Sequence, residues 1–352
     1  MRNHRLFLIF YSAIFFLLLS GCEHRPLIEL TDRHYIRIYL DEHIRNVSFG
    51  FYDETKEKPK YRRPEVLRVT LSDTQSGEVL SEEYLYEKGN DEKGAYIHGY
   101  VTAAPGTYNL MAYNYDTEST HVKDQFDYWK MEVYTNPVSE DLRNRLQSVR
   151  SVEESRSEVI RYEPDHFFVS SIEHVTLGRS RGIDTIRTKL HEHPVAESVV
   201  KTYYMQVNVR GAEYVRSAVA LITGMAGSVK LYDRSMVEDN ASSIFFNLKN
   251  GTSRQPTGIE TQVAYATFNT FGKLPEVEGY IEITFEFHMV NDEVQTETIR
   301  VTDMFDTPMV KENQWIIIDK MIEIVPPEGE GKGGGLSPGV THWQQIEGEI
   351  TI

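Results

Sequence analysis

The chain has 352 residues, with 53 acidic against 37 basic side chains and a formal net charge of −16. A protein this acidic, with its basic residues scattered, is repelled by nucleic acid, and that function class is set aside. A lone cysteine, Cys22, excludes a disulfide-stapled fold.

The first element is a leader. Met1–Arg5 is short and basic, and Leu6–Leu19 is almost wholly apolar. That run is shorter than the ~20 apolar residues a membrane span needs, and it fits the apolar region of a signal peptide. It ends in Leu19-Ser20-Gly21-Cys22, which resembles a bacterial lipobox. The resemblance implies removal of residues 1–21 and acylation of Cys22. Buried acyl chains contribute about 0.8 kcal/mol per methylene, enough together to hold a soluble protein at a bilayer. Loss of the leader removes Arg2 and Arg5 and moves the formal charge to −18.

The mature chain then reads as short strands. His34–Leu40, Val47–Tyr52, Val66–Leu71 and Ala95–Val101 alternate apolar and polar residues, as strands with one buried face do. Ser72–Gly77 is turn-rich, and Glu87–Gly94 reads as a hairpin turn whose ligand spacing matches no calcium loop. Pro105-Gly106 predicts another turn, with the glycine free to take a positive φ, before the strand Tyr108–Asn114. Leu142, Leu146 and Val149 fall at helical spacing, and Ser139 can cap. This predicts a helix over 139–159 covering the first sandwich. Pro164–Val169 is again extended. The polar stretch Arg179–Pro194 places a domain boundary near 195.

The second half alternates over Thr202–Val209, Val215–Ile222, Ile244–Leu248, Gln262–Phe268, Tyr280–Val290 and Thr296–Val301. Gln314–Ile324 is nearly continuous in Ile, the pattern of a strand buried on both faces. The expected fold is all-β: two β-sandwiches in tandem over 34–194 and 195–326, the second of about seven strands. Residues 22–33 form a lipidated linker, and 327–352 a Gly-rich linker followed by a terminal strand. Trp343, Ile346, Ile350 and Ile352 are too apolar for a solvated tail; they should pair with an edge of this chain or of another, and they are the candidate partner-binding residues.

Chemistry is thinly supported. His191-Glu192-His193 could begin a metal site, but no HExxH spacing accompanies it, and a solvated linker explains it better. Gly331-Lys332-Gly333-Gly334 lacks the first glycine and the Ser or Thr of a phosphate loop. No nucleophile elbow is present. The chain is read as non-enzymatic, without cofactor or metal. Trp129, beside Phe126 and Tyr128, would be a glycan-stacking candidate if exposed.

Taken in order, several motifs resemble the fimbrillin-type lipoproteins of Bacteroides-like bacteria, and most closely the fimbrial anchor branch. They are Cys22-Glu23-His24-Arg25-Pro26-Leu27, Pro105-Gly106-Thr107-Tyr108-Asn109-Leu110 with Ala112-Tyr113-Asn114, Ile222-Thr223-Gly224-Met225-Ala226-Gly227-Ser228, and Gly339-Val340-Thr341-His342-Trp343 after a glycine-rich break. The resemblance implies two transthyretin-like sandwiches at the outer membrane, facing outward, and a fimbrial partner joined by β-strand complementation. In shaft subunits of that family an Arg-directed protease removes the first strand. Arg33, Arg37 and Arg45 lie near it here, and a cut there would release the lipid. The competing readings are a surface glycan- or ligand-binding lipoprotein and a fimbrial shaft or tip subunit.

Overall fold

A computed structural model describes residues 32–41, 62–155, 158–179, 184–186, 193–254, 260–276, 279–326 and 342–346. The expected strand at Val47–Tyr52 lies outside them, as does Cys22.

The first sandwich begins with β1 (Asp32–Asp41), whose Ile36 and Ile38 are wholly buried. It continues with β2 (Leu67–Asp73), β3 (Val79–Leu85), β4 (Glu87–Asp91), β5 (Gly94–Ala103) and β6 (Gly106–Asn114). The expected hairpin joins β4 to β5. At the turn into β6, Gly106 is not among the positive-φ glycines. Its bare Cα instead admits the Tyr108 ring, which a Cβ would meet at 3.1–3.2 Å. The Tyr108 hydroxyl donates to the Ala104 carbonyl at 2.8 Å, closing the corner.

The chain then leaves this sandwich. β7 (Thr120–Lys123) and β8 (Glu132–Thr135) form a small sheet. Two short helices follow, α1 (Glu140–Arg145) and α2 (Gln147–Ser155), then β9 (Val159–Tyr162). The return strands are β10 (Phe168–Leu177), β11 (Asp184–Thr185) and β12 (Val195–Ser198). The nine-stranded sheet runs β3-β2-β6-β10-β12-β1-β5-β4, with β11 beside β1. It curls until β3 meets β5, where the Ser81 hydroxyl donates to the Thr102 carbonyl at 2.7 Å.

The second sandwich has β13 (Lys201–Arg210), β14 (Val215–Ala226), β15 (Ser228–Lys230), β16 (Ala241–Asn247), β17 (Lys249–Arg254), β18 (Glu260–Thr270), β19 (Glu282–Met289), β20 (Val294–Arg300), the helix α3 (Pro308–Asn313) and β21 (Trp315–Glu323). Its sheets run β17-β18-β13-β21 and β20-β19-β14-β16-β9, nine strands rather than about seven. The extra count comes partly from β9, which crosses over and pairs in parallel with β16. The run at Gln314–Ile324 is corrected: β21 ends its sheet, and Asp319, Lys320 and Met321 are exposed. The strands of this sandwich buried on both faces are β13, β14, β16 and β19.

The helical insertion also differs from expectation. The Ser139 hydroxyl caps it as predicted, accepting from the Leu142 amide at 3.3 Å. The chain then breaks to extended backbone at Leu146. Leu142, Leu146 and Val149 pack with Val219, Leu221 and Phe245 of the second sandwich, not the first. The break creates a second helix start with unsatisfied amides. Buried Glu286 of β19 answers it, accepting from the Gln147 and Ser148 amides at 3.2 and 2.6 Å. His288 lies 3.0 Å from the same carboxylate. Burial alone would raise the Glu286 pKa, but His288 and Ser148 together bring it below the usual value.

A boundary near 195 therefore does not divide the molecule. β12 follows it yet belongs to the first sheet, while α1, α2 and β9 precede it yet pack on the second sandwich. Between the two lies a further core, including Tyr113, Tyr128, Phe167, Leu231 and Phe271. The sheet β15-β8-β7 spans the same seam, with β15 contributed by the second half.

Both sandwiches are expected to unfold in one transition. Phe271→Ala in the shared core should lower it by about 3–5 kcal/mol, the usual cost of a buried Phe→Ala change, measured by calorimetry; two separated transitions would contradict a common core. Glu286→Ala should abolish amide-exchange protection across 147–152 while sparing β13, with about 1–3 kcal/mol lost per stranded amide.

Candidate attachment and contact sites

The strand nearest Cys22 is set deep in the first sheet. β1 pairs antiparallel with β5 from Asp32↔Ala103 to Tyr39↔Tyr96, and parallel with β12 and β11 on its other edge. Its outer face is tied down as well. The Arg33 guanidinium lies 4.5 Å from the centre of the Tyr100 ring, and Arg37 lies 4.3 Å from that of Tyr96. Arg37 donates to Asp91 at 3.0 Å, and the Tyr39 hydroxyl donates to the same carboxylate at 2.6 Å. Those contacts, led by the Tyr39 hydroxyl, hold the Asp91 pKa below its ordinary value. The bonds after Arg33 and Arg37 thus lie within a strand paired with β5 throughout Asp32–Tyr39 and, on its other edge, at His34–Tyr35 and Tyr39–Asp41. Arg45 falls outside the described residues. Asp32 lies ten residues along from Cys22, a reach of about 35 Å when extended.

The terminal segment is placed against its own chain. Trp343 is buried in the second sandwich, edge-on to Phe287 at 6.0 Å, and its indole N–H donates to the Ala212 carbonyl at 3.2 Å. Ile346 is buried beside the helical insertion. The Asn247 amide group substitutes for a neighbouring strand, accepting from the Ile346 amide at 2.8 Å and donating to its carbonyl at 3.3 Å. The Gln344 amide donates to the Arg216 carbonyl at 2.8 Å. So placed, neither Trp343 nor Ile346 is presented to a partner, which corrects their expected role. Both are apolar enough to be drawn into the nearest core. Ile350 and Ile352 lie outside the described residues.

Trp129 is not a free platform. It meets Tyr128 edge-on at 4.8 Å and Tyr232 at 5.5 Å across the seam. Gly77, at φ +78°, has no Cβ where the Trp129 ring lies. Phe126, two residues before Tyr128, is exposed instead. Trp315 packs with Tyr204 on the outer side of the β13 sheet. His193 stacks near Tyr39 at 5.6 Å, with His191 and Glu192 outside the described residues. Among the described residues, no group of His, Cys, Asp and Glu is arranged to hold a metal, and no helix is long and apolar enough to cross a membrane.

Sequence reading missed the polar stitching where the chain recrosses between sandwiches at 163–167. A cleft of about 250 Å³ lies there, lined by Arg62, Asn114, Glu163, Asp165, His166 and Asn269 among others. Asn114 donates to the His166 carbonyl at 3.0 Å and accepts from the Phe168 amide at 2.7 Å. From the other side, the Asn269 side chain donates to the Pro164 carbonyl at 3.1 Å and its amide donates to Glu163 at 2.8 Å. The Asp165 carboxylate accepts from the amides of Glu118, Ser119 and Thr120 at 2.7–3.1 Å. Burial, with Asp165 nearby, raises the Glu163 pKa to about 8. Burial lowers that of His166 to about 4.

A family model described as a domain of unknown function, DUF5119, matches residues 21–247. The chain belongs to the DUF5119 family. A relative from Bacteroides ovatus described as "Putative fimbrium anchoring subunit Fim4B" is 25% identical, with 97% of each chain covered. The crystal structure of a "putative adhesin" from Bacteroides ovatus is similar at a TM-score of 0.56 and 21% identity, covering 88% of this chain and 98% of that one. That likeness establishes the fold for nearly the whole DUF5119 chain: all-β, with sandwiches in tandem. The fimbrillin-like resemblance read from the motifs is matched by a relative of full length.

Glu163 supplies a pH test. A carboxyl whose folded pKa exceeds its unfolded one loses stabilising effect as pH rises from about 4.5 to 8. Glu163→Gln should therefore melt several degrees above the parent at pH 8, with the gap closing toward pH 5. A gap independent of pH would contradict a protonated Glu163.

Proposed function

We propose that this protein is an exported lipoprotein of the outer membrane, held by acyl chains on Cys22 and facing outward, that serves as the anchoring subunit of a fimbrium. The observation that carries this reading is the central position of β1. Pull from a membrane-held N-terminus enters a strand bonded on both edges, so load is shared across the sheet rather than peeled from its margin. The shared core between the sandwiches passes that load onward without a hinge. Similarity over the full length to a protein described as a fimbrium anchoring subunit supports the same reading.

The role is structural, and no catalytic step is assigned. The chain keeps its first strand, because excising β1 would cut β5 and β4 away from β12 and the rest of a nine-stranded sheet. A shaft subunit would instead lose it. A neighbouring subunit completes the contact by strand pairing at a sheet edge, since edge backbone groups are available for such pairing.

Two measurements test this. Protein recovered from cells should begin at a lipid-modified Cys22; a start after Arg33 or Arg45 would identify a shaft subunit. Cys22→Ser should move the protein from the membrane to the soluble fraction without lowering its melting temperature. Retention in the membrane of a Cys22→Ser protein whose leader has been removed would rule out the lipid as the anchor.

A further inference from the structure

Ten large apolar side chains stand exposed among the described residues, and five of them crowd one face: Leu80, Tyr84, Tyr86, Tyr115 and Phe126. Phe126 is 71% exposed and Tyr86 68%. Leu80 and Tyr84 point outward from β3, the end strand of the first sheet. Tyr84 and Tyr115 meet edge-on at 5.2 Å. Contiguous exposed apolar area of this kind marks an interaction surface.

The rings are held in place from below. Arg68 is only 1% exposed, yet it is a full cation. Its Nε donates to Glu82 at 3.2 Å, and Nη1 donates to the Gln125 carbonyl at 3.2 Å. Further bonds join it to Glu82 and to the Tyr113 hydroxyl. The guanidinium sits 5.6 Å from the Phe126 ring centre. A buried cation is costly unless every donor is satisfied. Here the satisfied network fixes the loop that carries Phe126. Rings held rigid before contact lose little entropy on binding.

Charge selects the occupant. Residues 69–87 contain no Lys or Arg; Glu82 shares the outward side of β3 with Tyr84, and exposed Glu78 bridges to Asp127 beside Phe126. A second copy would bring the same acids and be repelled. Apolar area and negative charge are what this face offers. We propose that it docks the next fimbrial subunit, through a surface of that subunit carrying Lys or Arg among apolar side chains. This rests on the fimbrial reading above and adds a location to it.

The full-length lipidated protein would be co-expressed with the shaft subunit of its fimbrium, with a benzophenone amino acid in place of Phe126 or, as a control, of exposed Tyr280. Crosslinking from 126 and not from 280 is expected. Phe126→Ala with Tyr86→Ala should cut subunit recovery at least tenfold with an unchanged melting temperature, and Glu78→Lys alone should cut it severalfold. Recovery of the subunit by the parent without a crosslink at 126, or undiminished recovery by these variants, would overturn the docking face and leave the fimbrial reading standing. So would a crosslink to a second copy, or loss of oligosaccharide binding in place of subunit binding. If the parent recovers no shaft subunit, the fimbrial reading falls first and the docking face with it.

Discussion

The apolar seam between the sandwiches is the constraint on which the rest depends. Met111 and Tyr113 of β6 and Phe167 and Val169 beside or within β10 turn away from the first core and into this one. Each sheet there is buried on both faces, so neither sandwich could be solvated alone without exposing large apolar side chains. At about 1.5–3 kcal/mol for each large side chain buried, the seam adds a third core to those of the two sandwiches. It also explains the path of the chain. A strand pair, a helical insertion and β9 are sent across before the first sandwich is finished, which interlocks the two units.

Polar groups then hold the crossings in place. Glu286 closes the helix start opened at Leu146, Arg68 gathers a strand, a ring and a loop, and Asn114 and Asn269 grip the recrossing segment from opposite sides. Buried charges of this kind add little net stability, but removing one partner is expensive, so they enforce a single arrangement. Rigidity of this sort suits the proposed role, in which load passes between a membrane and a filament. An anchor differs from a flexible tether in transmitting force without first extending.

The family relationship and the geometry address different questions. Membership in a family described only as a domain of unknown function assigns no task, and likeness to an adhesin structure conveys the fold. What narrows the task is the position of particular elements: β1 in the middle of its sheet, the terminal segment folded back, and an aromatic face left open above Arg68.

Much of the fold was legible in the residues. Alternation named most of the strands, Ser139 named its helix start, and the single cysteine after an apolar leader named the expected point of attachment, because each of these signals is local. Local signals could not say which sandwich a helix would cover. Leu142, Leu146 and Val149 show a helix has a face to bury, and only β9 pairing with β16 decides where it goes. Nor could they separate Trp129, packed across the seam, from Phe126, three residues earlier and exposed. Composition and periodicity determined that this chain is an acidic, β-rich protein with one cysteine near its start. Tertiary structure decided which apolar residues face the protein's own interior and which remain available, since burial depends on neighbours brought from distant parts of the chain.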